Sequence, residues 1–193
     1  MTGQSIKERQ IEVYASAAIN GTEYFIKINT NALTTKVEFK ISDSISSKLE
    51  NDKEFNSLRD SFLLLNYIDF RSDTVLNYMD KMKSIIKKHT FYSEDSIEIA
   101  NSQYQYYIKC INALFNTPTD SLDNQIRNKN RIVLDGINMT FTLSDDCLKR
   151  EIFTRTPSVN SHPLLYKFLT TSLNIFRDIR KKDFLNKRRL FGY

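Results

Sequence analysis

Glycine is scarce, with four in 193 residues. Gly21 and Gly136 follow Asn20 and Asp135 and read as turn residues, while Gly3 and Gly192 lie near the two ends. A loop that cradles phosphates needs several glycines between a strand and a helix. A dinucleotide-binding fold or a P-loop enzyme is therefore excluded. Histidine and cysteine number two each (His89, His162, Cys110, Cys147), and none of the four shows the paired spacing of zinc ligands. No Gly-x-Ser-x-Gly and no Cys beside His marks a nucleophile and its base. Tryptophan is absent, and the longest uninterrupted apolar run is Phe62–Leu65, far short of the roughly 18 residues that span a bilayer. The opening "MTGQSIKERQ" lacks the apolar core of a secretory signal. These absences lead to the expectation of a soluble cytoplasmic protein with reduced cysteines, no metal, no cofactor and no membrane association.

What is present is a chain of a length that suits one domain, 1–193, with its own core. The polar stretch "NTPTDSLDNQIRNKN" (116–130) is the candidate internal boundary. Near the N-terminus, Ile11, Val13, Ala15, Ala17 and Ile19 alternate with more polar residues, then Tyr24, Ile26 and Ile28 do the same, with Asn20-Gly21 between. Two alternating runs joined by Asn-Gly predict a hairpin with a two-residue turn. Val37, Phe39 and Ile41 add a third strand.

The period then changes. Phe55, Leu58, Phe62 and Leu65 are spaced for a helix over 53–68. Val75, Met79, Met82 and Ile86 predict another over 73–88, with Ser72 or Asp73 at its N-cap and Lys87, Lys88 and His89 suiting its C-terminus. Ile97, Ala100, Tyr104, Ile108, Ile111 and Phe115 fit one long helix over 94–115 capped by Ser93. Asp135-Gly136 predicts a second hairpin within "RIVLDGINMTFTL", followed by a short helix in "DDCLKREIF" capped by Ser144. A last helix opens near Pro163 and ends near Arg180–Lys182, because its phase would put Asp183 in the apolar stripe. The fold class is α+β: an antiparallel sheet of about five strands, a three-stranded meander plus a later hairpin, packed with about five helices.

Three groups of residues carry candidate chemistry. Val37, Phe39 and Ile41 point one way, so Glu38 and Lys40 project together from the opposite face. That triplet resembles the Glu-x-Lys of restriction-endonuclease-like enzymes, in which a carboxylate pair holds Mg²⁺ and the lysine orients water. Glu23 is the earlier acid the resemblance implies; the Asp that usually precedes the pair is missing. Any amphipathic strand with a solvated face produces the same triplet, and an ordinary charged sheet face is the expectation, with the nuclease as the alternative. Tyr104, Tyr106 and Tyr107 cluster in "SQYQYYIKC", and aromatics of this kind serve protein interfaces or stack on bases.

Finally, residues 177–193 hold seven cations (Arg177, Arg180, Lys181, Lys182, Lys187, Arg188, Arg189) against two anions. That excess equals the net charge of the whole chain, +5, so the preceding residues are balanced. Such an end either grips phosphates or docks through Phe184, Leu185, Leu190, Phe191 and Tyr193, with its cations in water. Without a catalytic signature, the expected function is that of a non-catalytic protein-binding module, such as an immunity- or antitoxin-type inhibitor or an adaptor. The alternative is a nucleic-acid-binding protein or Mg²⁺-dependent nuclease.

Overall fold

The computed structural model describes residues 8–17, 23–65, 72–124, 128–133 and 136–181. In chain order the elements are β1 (Arg9–Ala17), β2 (Glu23–Thr30), β3 (Thr34–Ile45), a 3₁₀ segment (Ser47–Asn51), α1 (Lys53–Leu64), α2 (Asp73–Lys88) and β4 (Thr90–Ala100). There follow α3 (Gln105–Asn116), α4 (Thr119–Asp123), β5 (Ile137–Asp145), β6 (Lys149–Arg155) and α5 (Pro163–Arg180). The strands form one antiparallel open sheet in the order β4-β3-β2-β1-β5-β6, an α+β architecture with one strand more than expected. The chain divides into two compact units, one of residues 1–41 with 94–193 and one of residues 42–93. The divisions fall within β3 and β4.

In the first unit, alternation buries one face of each strand: Ile11, Val13 and Ala15; Tyr24, Ile26 and Ile28; Val37, Phe39 and Ile41; Met139, Phe141 and Leu143. Apolar residues at helical spacing cover this face, Tyr107, Cys110, Ile111 and Leu114 from α3 and Leu165, Phe168, Leu169, Leu173 and Phe176 from α5. Phe176 meets Phe39 at 4.5 Å between ring centres, and Phe168 lies edge-on to Phe141 at 6.5 Å. Arg150 on β6 donates to the carbonyls of Leu114, Phe115 and Thr117, which the end of α3 leaves without helical partners. α5 ends as expected, with Lys181 in the left-handed region at φ 50°.

The second unit holds the ends of β3 and β4, the 3₁₀ segment, α1 and α2. Asp52 caps α1 by accepting from the Phe55 N–H at 2.9 Å, and its other oxygen lies 3.0 Å from Nε2 of His89, the C-cap of α2. The Ser46 N–H donates to the His89 carbonyl at 2.8 Å. α2 matches its expected span to the residue, with Ser72 accepting from Val75 N–H, whereas α1 begins where expected and ends earlier, at Leu64.

Three expectations need correction. Residues 94–100 are strand, not the start of a helix: Ile97 and Ile99 are buried while Ser96 and Glu98 are not. Ile97 and Ala100 satisfied a helical stripe and a strand alternation alike, and only pairing decides between them. The expected helix over 145–153 is likewise absent: Asp145 ends β5, 146–148 turn the chain, and 149–153 are strand. The partner of β5 in its hairpin is β6, and Arg131–Val133 is not strand. The turn is Asp145–Leu148, closed by Asp145 N–H to the Leu148 carbonyl, with the Asp145 carboxylate accepting from Cys147 and Leu148 N–H. Gly136 lies in a confined position at the start of β5. A Cβ there would strike Thr156 Oγ1 and lie 2.8 Å from Val133 Cγ1, so close approach demands glycine.

The first hairpin pairs β1 with β2 as expected, but in a different register. An uninterrupted Asn20-Gly21 loop pairs Ser16 with Phe25, whereas Ser16 faces Glu23. The slip of two residues preserves which side chains face inward, so alternation cannot reveal it. The Asn20-Gly21 turn itself lies outside the described residues, as does Asp135.

Candidate functional site

Within the first unit α3 and α5 cover one face of the sheet, and the residues of opposite phase make up the other. The registers arrange them in transverse rungs. Glu23, Ser16, Asn138 and Arg155 form one. Lys40, Phe25, Tyr14, Thr140 and Phe153 form the next, across β3, β2, β1, β5 and β6. Glu38, Lys27, Glu12, Thr142 and Glu151 follow, then Lys36, Asn29, Gln10, Ser144 and Lys149.

The second rung is the one that carries aromatic surface. Tyr14 and Phe25 pack with ring centres 5.0 Å apart, and Phe153 is 64% exposed at the end of the row. Charges surround it in pairs. Lys36 lies 2.8 Å from Glu38, Lys27 lies 3.4 Å from Glu12, and Lys40 lies 2.6 Å from Glu94. On these four rungs five cations face four carboxylates, a nearly balanced field with an aromatic strip through it.

Glu38 and Lys40 do project from this face, each engaged in an ion pair. Glu23 is not brought to Glu38: Lys27 faces Glu38, and Glu23 is four residues further along β2, about 13 Å. Glu23 instead accepts the Tyr14 hydroxyl at 2.6 Å. The two carboxylates thus do not converge on a common position, and no cluster of three metal-ligating side chains occurs among the described residues.

The tyrosine cluster is dispersed by the geometry of α3. Tyr107 is fully buried, its hydroxyl 2.8 Å from Ser172 Oγ, and burial pushes its phenol well above the usual range. Tyr104 packs at the margin of the core. Tyr106 alone is well exposed, with the Lys167 ammonium 4.6 Å from its ring centre. At the basic end, Arg180 is 3.1 Å from Asp95 and donates to the Ser96 carbonyl, so it ties α5 to β4. Arg177 is partly buried, and burial lowers its pKa. Lys181 is the C-cap of α5. Lys182, Lys187, Arg188 and Arg189 lie outside the described residues, as do the apolar residues from Phe184 onward.

A second polar constellation lies beside β6. His162 is buried, with Nδ1 3.0 Å from Ser161 Oγ, Nε2 3.1 Å from Thr154 Oγ1, and the Asn128 amide 3.3 Å away. Burial is the main cause lowering its pKa, with nearby Arg131 acting in the same direction and Asp123 opposing. Ser161 and His162 are each 4% exposed, and Ser161 also bonds Ser158. This serine–histidine contact fastens a loop to β6 and presents no reachable nucleophile.

Sequence reading missed Tyr14, Phe25 and Phe153. The signal was the outward phase of strands whose inward phase had identified them, and Phe153 was hidden because its strand read as a helix. No family model, no curated protein and no solved structure matches this chain.

Proposed function

We propose that this chain is a non-catalytic protein-binding module whose contact surface is the face of its sheet opposite α3 and α5. The observation that carries the reading is the Phe25–Tyr14–Thr140–Phe153 rung, an aromatic strip bordered by paired charges of both signs. Aromatic side chains inside a polar rim are how protein interfaces concentrate affinity. The partner this surface suits is a protein presenting apolar side chains flanked by mixed charge. An inhibitor or adaptor works in this way, by occupancy alone.

The competing reading has the same rings stacking on bases. It is disfavoured because Lys27, Lys36 and Lys40 of this face already lie against carboxylates, whereas phosphate binding draws on an excess of cations. The test is capture by the immobilised full chain from lysate, with and without nuclease, compared with Tyr14→Ser/Phe25→Ser. A protein retained after nuclease and bound at least tenfold more weakly by the folded variant supports the reading. Capture that vanishes with nuclease, or binding indifferent to both substitutions, overturns it.

A further inference from the structure

β6 is an outer strand of the sheet, and its backbone polarity can be assigned. The Thr156 N–H donates to the Ile137 carbonyl at 2.7 Å, and the Asp145 N–H donates to the Leu148 carbonyl at 2.9 Å. Even-numbered residues of this strand therefore direct their backbone groups to β5. Lys149, Glu151, Phe153 and Arg155 direct theirs the opposite way. Arg131 approaches from that side, donating to the carbonyl of Arg155 at 2.6 Å. An outer strand with such groups is a template for another strand. The opposite edge, β4, is engaged at Ser96 and Asp95 by Arg180.

We propose that β6 pairs antiparallel with β6 of a second copy of this chain, about a two-fold axis at Phe153. The occupant follows from charge and register. Pairing about Phe153 sets Phe153 against its own copy and places Glu151 opposite Arg155 twice, once on each side of the axis. The side chains of Glu151, Phe153 and Arg155 are all exposed and all lie on the face opposite α3 and α5. Other registers fail. Centring on Ile152 sets Lys149 against Arg155, and centring on Glu151 sets that carboxylate against itself. Centring on Arg150 or Thr154 leaves only about three residues of overlap within the strand. A two-fold interface must be self-complementary, and Glu151-Ile152-Phe153-Thr154-Arg155 is so about one residue.

The Arg155 carbonyl that Arg131 uses retains a second lone pair for the Glu151 N–H of the other copy. Thr156, at φ 44°, and Pro157 then end the pairing. Because Thr140, Tyr14 and Phe25 share the rung of Phe153, the two aromatic rows would run end to end across one continuous sheet. The pairing uses the strand edge rather than that face, so it stands or falls apart from the partner reading above.

The test is sedimentation of the full chain across the micromolar range. The expected result is a reversible dimer that Glu151→Arg and Arg155→Glu each weaken by about tenfold. An equimolar mixture of those two variants should dimerise again, since every charge then faces its opposite. In a Cys147→Ser background, Phe153→Cys should close an intersubunit disulfide with oxidised glutathione. Residues directly opposite in such a pair have Cα atoms about 5.5 Å apart, within disulfide range. A monomer at every concentration, a dimer that both charge variants keep, or a variant mixture that stays monomeric would overturn the proposal. The cysteine variant reports the register even if a charge variant fails to fold.

Discussion

The sheet-bearing unit and the helical unit of residues 42–93 rest on different foundations. In the first, 26 buried apolar residues from strands and helices make one continuous cluster. In the second, Val75 and Ile85 are the buried apolar residues among those described, while Ile45, Leu63, Leu64 and Phe91 are each more than half exposed. Hydrogen bonds at helix ends stand out there: Ser72 on α2, and Asp52 joining the start of α1 to His89. Apolar burial scales with area, whereas a cap contributes about 1 kcal/mol. The second unit should therefore open locally at a lower free energy than the sheet.

The largest expected effect separates the two directly. Phe168→Ala removes a ring in contact with Phe141 and Tyr107 and should cost about 3–5 kcal/mol, read in denaturant unfolding of the whole chain. Ile85→Ala should cost about 2 kcal/mol and be confined to amide exchange in α1 and α2. If both variants accelerate exchange throughout the molecule alike, the two units are one cooperative body and the contrast fails.

A smaller effect tests how tightly the sheet-bearing unit is closed around β5. Thr156 Oγ1 accepts from the Ile137 N–H at 2.9 Å, and the same oxygen is what a side chain at Gly136 would strike. Gly136→Ala should cost about 1–3 kcal/mol by overpacking and by displacing that acceptor. Thermal unfolding would measure it, and an unchanged midpoint would mean that Val133 and Thr156 yield without loss.

The sequence reading succeeded where local signals and tertiary demands agree. Ser72 and Asp73 start α2, Lys87, Lys88 and His89 close it, and no competing pattern exists. It failed where one string of residues satisfies two periods. "SIEIA" carries two isoleucines that serve a strand alternation, yet Ile97 and Ala100 also continue the stripe of α3. In "KREIFTR" only Ile152 is buried, so alternation is almost silent; β5 supplies the pairing that makes it a strand. The outward residues of β1 and β2 were visible as a solvated phase. Their alignment with Phe153 in one rung depends on three registers, none of which is written in any single segment.

Acid should distinguish the units by where each responds. His162 is neutral and buried, with its folded-state pKa below the ordinary imidazole value of about 6.5. Between the two values the unfolded chain binds more protons, so stability rises with pH in that window. The sheet-bearing unit should begin to weaken as pH falls below about 6.5, and the loss should be complete once pH is under the folded value. Asp52 behaves oppositely in origin. The Phe55 N–H first, and then His89, hold its carboxylate below the usual range, so its contribution is full above the ordinary carboxylate pKa and fades only as pH drops through that range. Amide exchange compared at pH 7, near 6 and near 4 (rates corrected for intrinsic chemistry) should show the β6 and α5 amides responding first. His162→Gln should flatten that first response and leave α1 unmoved. Asp52→Asn should alter only the response of residues 42–93 near pH 4. A first response located in α1 rather than around His162 would reverse the assignment of the two groups.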